Sequence, residues 1–218
     1  MDVVLIISGI AVVGLAVWYF NLRAAKKRTE SLEAVAASLE FSFESEADES
    51  LVPSLSGFDL FSEGRSKKAS NVMRGQARGI DLVVLDYRYT TGSGKNSHTW
   101  QQSVIRFQSK RLRLPRFTLR PENLFHKIGS MFGYQDIDFE SHPAFSKAYL
   151  LRADDEAACR AAFDENVLAF FDERAGLCAE GDQNTLLFYR KSKRVRPDEM
   201  HTFLEDGFGV FGVFTAEG

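Results

Sequence analysis

Asp136 and Asp138 flank Ile137, with Glu140 close behind. In an extended segment side chains alternate with period two, so the two aspartates would share one face. Such a pair offers oxygens for a divalent cation, or an acid and a base for hydrolysis. The same pattern also describes the polar face of an edge strand. Gly92-Ser93-Gly94-Lys95 suggests a phosphate loop, but the full pattern needs a glycine where Tyr89 stands and Ser or Thr where Asn96 stands. Its flanks read as strands, with no helix N-terminus to hold phosphate, so a hairpin tip is expected.

His98, His126, His142 and His201 are scattered, with no HExxH or HxH spacing, and neither cysteine has a ligand partner nearby. Cys159 falls on the apolar stripe of a helix and reads as core. Cys178, just past that helix, could be exposed, but nothing nearby marks a thiol of lowered pKa. No GxSxG elbow occurs. The sequence therefore names no catalytic residue, no metal site and no cofactor.

Charge is distributed more suggestively. Arg106, Lys110, Arg111, Arg113, Arg116 and Arg120 place six cations in fifteen residues with no acid among them. Arg111-Leu112-Arg113-Leu114 alternates as a strand would, putting Arg111 and Arg113 on one face. Arg65, Lys67 and Lys68 form a basic loop, and Arg190 to Arg196 holds five more cations. These side chains either face solvent, opposite the seven carboxylates of Asp154 to Glu173, or form a surface for anionic groups. Arg65, Lys67, Lys68, Arg111 and Arg113 are the candidate anionic contacts. Nucleic acid is not expected: the net charge is −3, the pI is near 5.9, and no aromatic-basic RNP motif is present.

The elements that must position these groups follow from periodicity. Leu32, Val35, Ala36 and Leu39 have helical spacing. The acidic stretch Glu40 to Glu49 and the breakers Pro53 to Gly57 read as a linker. Phe58, Leu60 and Phe61 suggest a short strand ending at Gly64. Ile80 to Tyr89 is the clearest strand, with Val83, Leu85, Tyr87 and Tyr89 on one face and Asp86 and Arg88 on the other. It returns through a hairpin to Thr99–Phe107, and Phe117 to Leu119 continues the sheet. A helix is expected from Pro121 to about Phe132, a short extended piece at Ile137 and Phe139, and another at Tyr149 to Leu151. One long helix should run from Asp154 to Gly176, with Cys159, Phe163, Val167 and Phe170 as its stripe. A strand at Thr185–Tyr189 and a helix from Pro197 toward Gly207 follow. This is an α+β domain with an antiparallel sheet and packed helices.

Before it stands Val3 to Leu22, twenty residues without charge. A helix of that length spans about 30 Å, the thickness of a bilayer core. Trp18 and Tyr19 sit near its C-terminal end, and Arg23, Lys26, Lys27 and Arg28 follow. That asymmetry predicts an inner-membrane, single-pass anchor with the N-terminus outside and the domain cytoplasmic. A cleaved signal peptide would want basic residues first and small residues at its end. The expected division is an anchor over 1–22, a basic segment, helix and acidic linker over 23–56, and the α+β domain over 57–218. A mean hydropathy of −0.19 excludes a polytopic membrane protein, and 19 phenylalanines exclude a disordered chain.

Several runs carry a resemblance as a set: Gly64-Arg65-Ser66-Lys67-Lys68 with Asn71-Val72, Leu85-Asp86-Tyr87, Leu114-Pro115-Arg116-Phe117-Thr118-Leu119-Arg120-Pro121-Glu122, Asp136-Ile137-Asp138-Phe139 and His142-Pro143-Ala144-Phe145-Ser146. Over residues 57 to 215 the chain resembles a bacterial family of N-terminally membrane-anchored proteins with a domain of unknown function. That resemblance implies a bacterial source and membrane anchorage, and transfers no site. The leading expectation is a membrane-tethered, non-enzymatic interaction or accessory domain that contacts anionic lipid or a protein partner. The alternative is a metal-dependent hydrolase using Asp136 and Asp138.

Overall fold

The computed structural model describes residues 2–122 and 136–215, with side chains from Val13 onward. In chain order the elements are α1 (Asp2–Ser38), β1 (Ser42–Glu46), α2 (Leu51–Ser54), α3 (Asp59–Ser62), β2 (Arg65–Ala77), β3 (Ile80–Thr91), β4 (His98–Gln108), β5 (Leu114–Pro121), α4 (Pro143–Ala148), β6 (Tyr149–Ala153), α5 (Glu156–Ala162), α6 (Glu165–Asp172), β7 (Cys178–Gln183), β8 (Thr185–Tyr189) and α7 (Met200–Val213). The eight strands form one antiparallel sheet in the order β1-β2-β3-β4-β8-β7-β5-β6. The class is α+β, as the periodicity predicts.

Strand alternation divides the apolar residues between two faces. Leu82 and Val84 of β3, with Ile105 and Phe107 of β4, join Leu32 and Ala36 of α1 and Phe203 and Phe211 of α7 in the larger core. Val83, Leu85, Tyr87 and Tyr89 point the other way and pack under Leu51, Leu55, Leu60 and Phe61. The α2–α3 segment is thus a strap across the second face.

Several sequence expectations are corrected. The acidic stretch Glu40 to Glu49 contains β1, an edge strand whose carboxylates are used: Glu46 pairs with Lys68 at 2.7 Å and Glu44 with Arg74 at 3.7 Å. The folded body therefore begins inside α1, ahead of residue 57. Phe58 to Gly64 holds the helical turn α3: the Phe61 and Ser62 N–H groups donate back to the Phe58 carbonyl at 3.1 and 2.9 Å, and the curled chain buries Leu60 and Phe61 together against the second face. Arg65, Lys67 and Lys68 lie on β2, not in a loop. Its apolar pattern is scrambled by register shifts where Ser66 (φ 53°) and Asn71 (φ 51°) turn left-handed. Arg111 to Arg113 is loop, and β5 starts at Leu114.

The long helix after Asp154 is two helices. Asp155 accepts from the Ala158 N–H at 3.0 Å and Asp164 from the Val167 N–H at 2.9 Å, so each aspartate caps a new helix. Cys178 is buried on β7 rather than exposed. The helix expected from Pro121 to Phe132 lies outside the described residues beyond Glu122. Of the apolar run Val3–Leu22, side chains are described for residues 13–22, and among the described residues no helix is long and apolar enough to cross a membrane.

Candidate functional site

The sheet has two ends, and they separate the predicted cations. Arg65 pairs in register with Thr90 and Lys68 with Arg88, beside the β3–β4 hairpin. Arg111 and Arg113 follow β4, whose last residue Gln108 pairs with Asp81 at the other end of β3. Eleven residue steps from Ile80 to Thr91 span about 36 Å. The structure therefore brings Arg65, Lys67 and Lys68 together and leaves Arg111 and Arg113 apart from them. Lys67 donates to the Phe61 and Ser62 carbonyls at 2.8 and 2.7 Å, Arg65 to the Gly92 carbonyl, and Lys68 to Glu46. Arg111 sits over the Phe211 ring at 5.6 Å, and both it and Arg113 border a shallow groove with Ala161, Val213 and Phe214.

Asp136 and Asp138 are both exposed. Asp136 Oδ1 accepts the Leu151 N–H at 2.9 Å while Ile137 N–H donates to the Leu151 carbonyl, so this piece runs along the β6 edge. Partial desolvation against the β6 edge, with the charges of Asp138 and Glu122 nearby, raises the Asp136 pKa. Among the described residues no group of three or more metal-capable side chains gathers there or elsewhere. Burial pushes the Cys159 and Cys178 thiols up to about 12, which leaves them protonated and poor nucleophiles.

Two buried polar constellations have no signature in the sequence. The first joins α1 to the sheet. Arg28 grips Asp86 with both ends of its guanidinium, Nε to Oδ2 and Nη2 to Oδ1, each at 2.7 Å. Its Nη1 donates to the Val195 carbonyl at 2.8 Å. Asp86 also accepts from Asn71 Nδ2 at 2.9 Å and Ser103 Oγ at 2.8 Å, and Thr29 Oγ1 donates to Asn71 Oδ1 at 2.8 Å. The arginine and aspartate side chains are 12% and 6% exposed, so this is a desolvated, bidentate pair. By periodicity alone Asp86 belongs to the outward face of β3, and Arg28 is one more charge beside the apolar run. Only the fold shows that α1 covers that face.

The second constellation pins the α2–α3 strap. Glu180 is fully buried, and its carboxylate accepts from Tyr189 OH at 2.7 Å, Arg120 Nη2 at 3.0 Å and the Leu60 N–H at 3.1 Å. Glu63 takes the other arm of Arg120 and the Tyr89 hydroxyl. Burial raises the Glu180 pKa against the pull of Arg120. Burial opposes the charge on Arg120, yet Tyr189, Glu180 and Glu63 together raise its pKa well above the usual arginine value. The carboxylate's partners are thus a strap backbone amide and two sheet side chains, a clamp across the second face. Sequence could not flag it, since Cys178-Ala179-Glu180-Gly181-Asp182-Gln183 lacks the β-branched residues of a strand.

Beyond Arg28, α1 leaves the sheet. Val13, Leu15, Val17, Trp18, Tyr19, Phe20 and Leu22 are all 50% to 66% exposed. At 100° per residue these seven positions surround the helix on every side. This part of α1 belongs to neither hydrophobic core.

No protein-family model and no curated protein sequence matches the chain. Among solved structures, the chain is similar to the crystal structure of the mycobacterial trehalose monomycolate transport factor A, TtfA, at 15% identity and a TM-score of 0.61, over 86% of this chain and 92% of that one. At that identity the likeness shows a shared α+β fold.

Proposed function

We propose that this chain is a membrane-tethered accessory domain, held at the inner membrane by the N-terminal part of α1, with its N-terminus outside and its folded body cytoplasmic. The observation that carries this reading is the continuity of α1. One helix runs from a stretch that is apolar on every side into a stretch bolted to the sheet by Arg28 and Asp86. Such a helix transmits position: the domain is held in a fixed attitude to the bilayer instead of swinging on a linker. Charge asymmetry supports the orientation, since Arg23, Lys26 and Lys27 are exposed immediately after the apolar run. TtfA is by name a transport factor, and an accessory role alongside other membrane components fits a tethered domain of the same fold. A protein partner acting on the same membrane belongs to this reading, as does membership of a bacterial family of anchored proteins.

Alkaline extraction of membranes from cells making the full chain tests the tether. Wild type should stay in the pellet, and Val13→Arg with Leu15→Arg and Val17→Arg should move to the supernatant, because each arginine costs about 3 kcal/mol at a span's centre. A wild-type chain that washes off would overturn the reading. A reporter fused after Gly218 that works only outside the cytoplasm would overturn the orientation.

A further inference from the structure

We infer that the hairpin end of the sheet is a docking surface for anionic lipid headgroups, an inference that deepens the tether reading and rests on it. Three observations meet at this end.

The first is direction. Thr29 and Arg28 contact Asn71 and Asp86, while Phe41 packs over Gly75 and Ser42 pairs with Arg74. From residue 28 to residue 41 the chain therefore advances along β2 away from the hairpin. Followed backward, α1 leaves the body at the hairpin end, carrying its apolar residues with it. From Arg28 to Leu22 the helix rises about 9 Å. From Asp86, the partner of Arg28, β3 runs about 17 Å to Thr91. The hairpin is long enough to reach the level where the apolar residues begin.

The second observation is charge. Arg23 and Lys27 on α1, Arg88 on β3, Lys95 at the hairpin tip, and Lys193 and Arg194 beside Arg28 are all exposed. Among the described residues none of their side chains has a hydrogen bond or ion pair. The Lys193 carbonyl accepts from the Ser103 N–H, which seats that loop next to Asp86 and hence next to α1. Four nearby acids are already paired, Asp86 with Arg28, Glu63 with Arg120, Glu46 with Lys68 and Glu30 with Lys26, while Glu199 borders the same groove as Lys193.

The third is an unfavourable register. Lys68 and Arg88 stand directly opposite each other in adjacent strands, and Glu46 pairs with Lys68 but not with Arg88, so Arg88 faces a like charge across the ladder with no acid of its own among the described residues. Arg111 and Arg113 lie at the far end of the sheet and take no part.

The test uses the full chain with Ser93→Cys at the hairpin tip, since Cys159 and Cys178 are buried and will not take dye. The chain is reconstituted into vesicles of phosphatidylcholine alone or with phosphatidylglycerol, and energy transfer is read from the tip to a headgroup-labelled lipid. Co-flotation with the neutral vesicles reports the tether separately, so its failure is distinguishable from failure of docking. Transfer should be higher on anionic vesicles and fall as salt shortens the screening length from about 8 Å to about 3 Å. Lys95→Gln with Lys193→Gln and Arg194→Gln should cut the docking equilibrium about fivefold per residue, roughly a hundredfold together. Lys110→Gln with Arg111→Gln and Arg113→Gln should leave it unchanged. Equal transfer on both vesicle types, or equal losses from the two triple variants, would overturn the inference.

Discussion

Replacing Arg28 by Met keeps the apolar stem of the side chain and removes its donors. The Asp86 carboxylate then loses two bonds of 2.7 Å and the Val195 carbonyl loses one of 2.8 Å, in a site whose side chains are 12% and 6% exposed. Breaking such a desolvated pair from one side costs about 3–5 kcal/mol. Asn71 Nδ2 and Ser103 Oγ still donate to Asp86, which places the loss near the lower limit, about 3 kcal/mol. That is roughly a hundredfold in the equilibrium for lifting α1 off the sheet. Hydrogen exchange of the full chain in detergent micelles reads this directly. Amides of the docked part of α1, residues 30 to 38, should exchange about a hundredfold faster in the variant, while β7 and β8 change less. Adding Asp86→Asn should recover part of the protection by removing the stranded carboxylate. Lys26→Met breaks only the exposed contact with Glu30 at 3.8 Å and should change exchange by no more than about twofold. If Arg28→Met behaves like Lys26→Met, the junction does not hold the helix and the reasoning fails.

The other perturbations probe the clamp, the sheet and a cap. Burial holds the Glu180 pKa above its ordinary 4.5, so the folded state takes up the proton first and Glu180 adds stability as pH falls through its folded-state value toward 4.5. Urea unfolding should show wild type gaining on Glu180→Gln across that window, and parallel pH profiles would contradict this. A Cβ at Gly181 would lie 2.3 Å from Phe117 Cε1 and 3.0 Å from Leu114 Cδ1. Gly181→Ala should therefore cost about 1–3 kcal/mol by overpacking, whereas Gly57→Ala, with nothing within 4 Å, should leave Tm nearly unchanged. Asp164→Ala removes the cap on the Val167 N–H and should cost about 1 kcal/mol, read as faster exchange in the first turn of α6.

What could be read from sequence was whatever repeats with a period. β3 alternates cleanly between Leu82 and Tyr89, and its two faces are the two cores. The hairpin to β4 and the strand at Thr185–Tyr189 stand where periodicity puts them. The misses share a physical cause. β2 carries left-handed residues at Ser66 and Asn71 that shift its register, and β1 is an edge strand whose carboxylates are matched by cations on its neighbour. Local pattern encodes neither. Arg28 with Asp86, and Arg120 with Glu63 and Glu180, join residues 57 to 60 apart in sequence. Their pairing is a property of topology, so their charges read as surface until the elements are placed. The same is true of Lys193 and Arg194, which only the hydrogen bond from the Ser103 N–H to the Lys193 carbonyl sets beside α1.

The central claim is that α1 enters a bilayer while the sheet stays outside it. The chain has two tryptophans, Trp18 at the end of the apolar run and Trp100 on β4. Trp100→Phe leaves Trp18 as the sole reporter, and the full chain can be reconstituted with lipids brominated at successive depths. Trp18 fluorescence should be quenched, most strongly by bromines just below the headgroups, where an indole at a span's end resides. Trp18 emission that no brominated lipid quenches would contradict that claim.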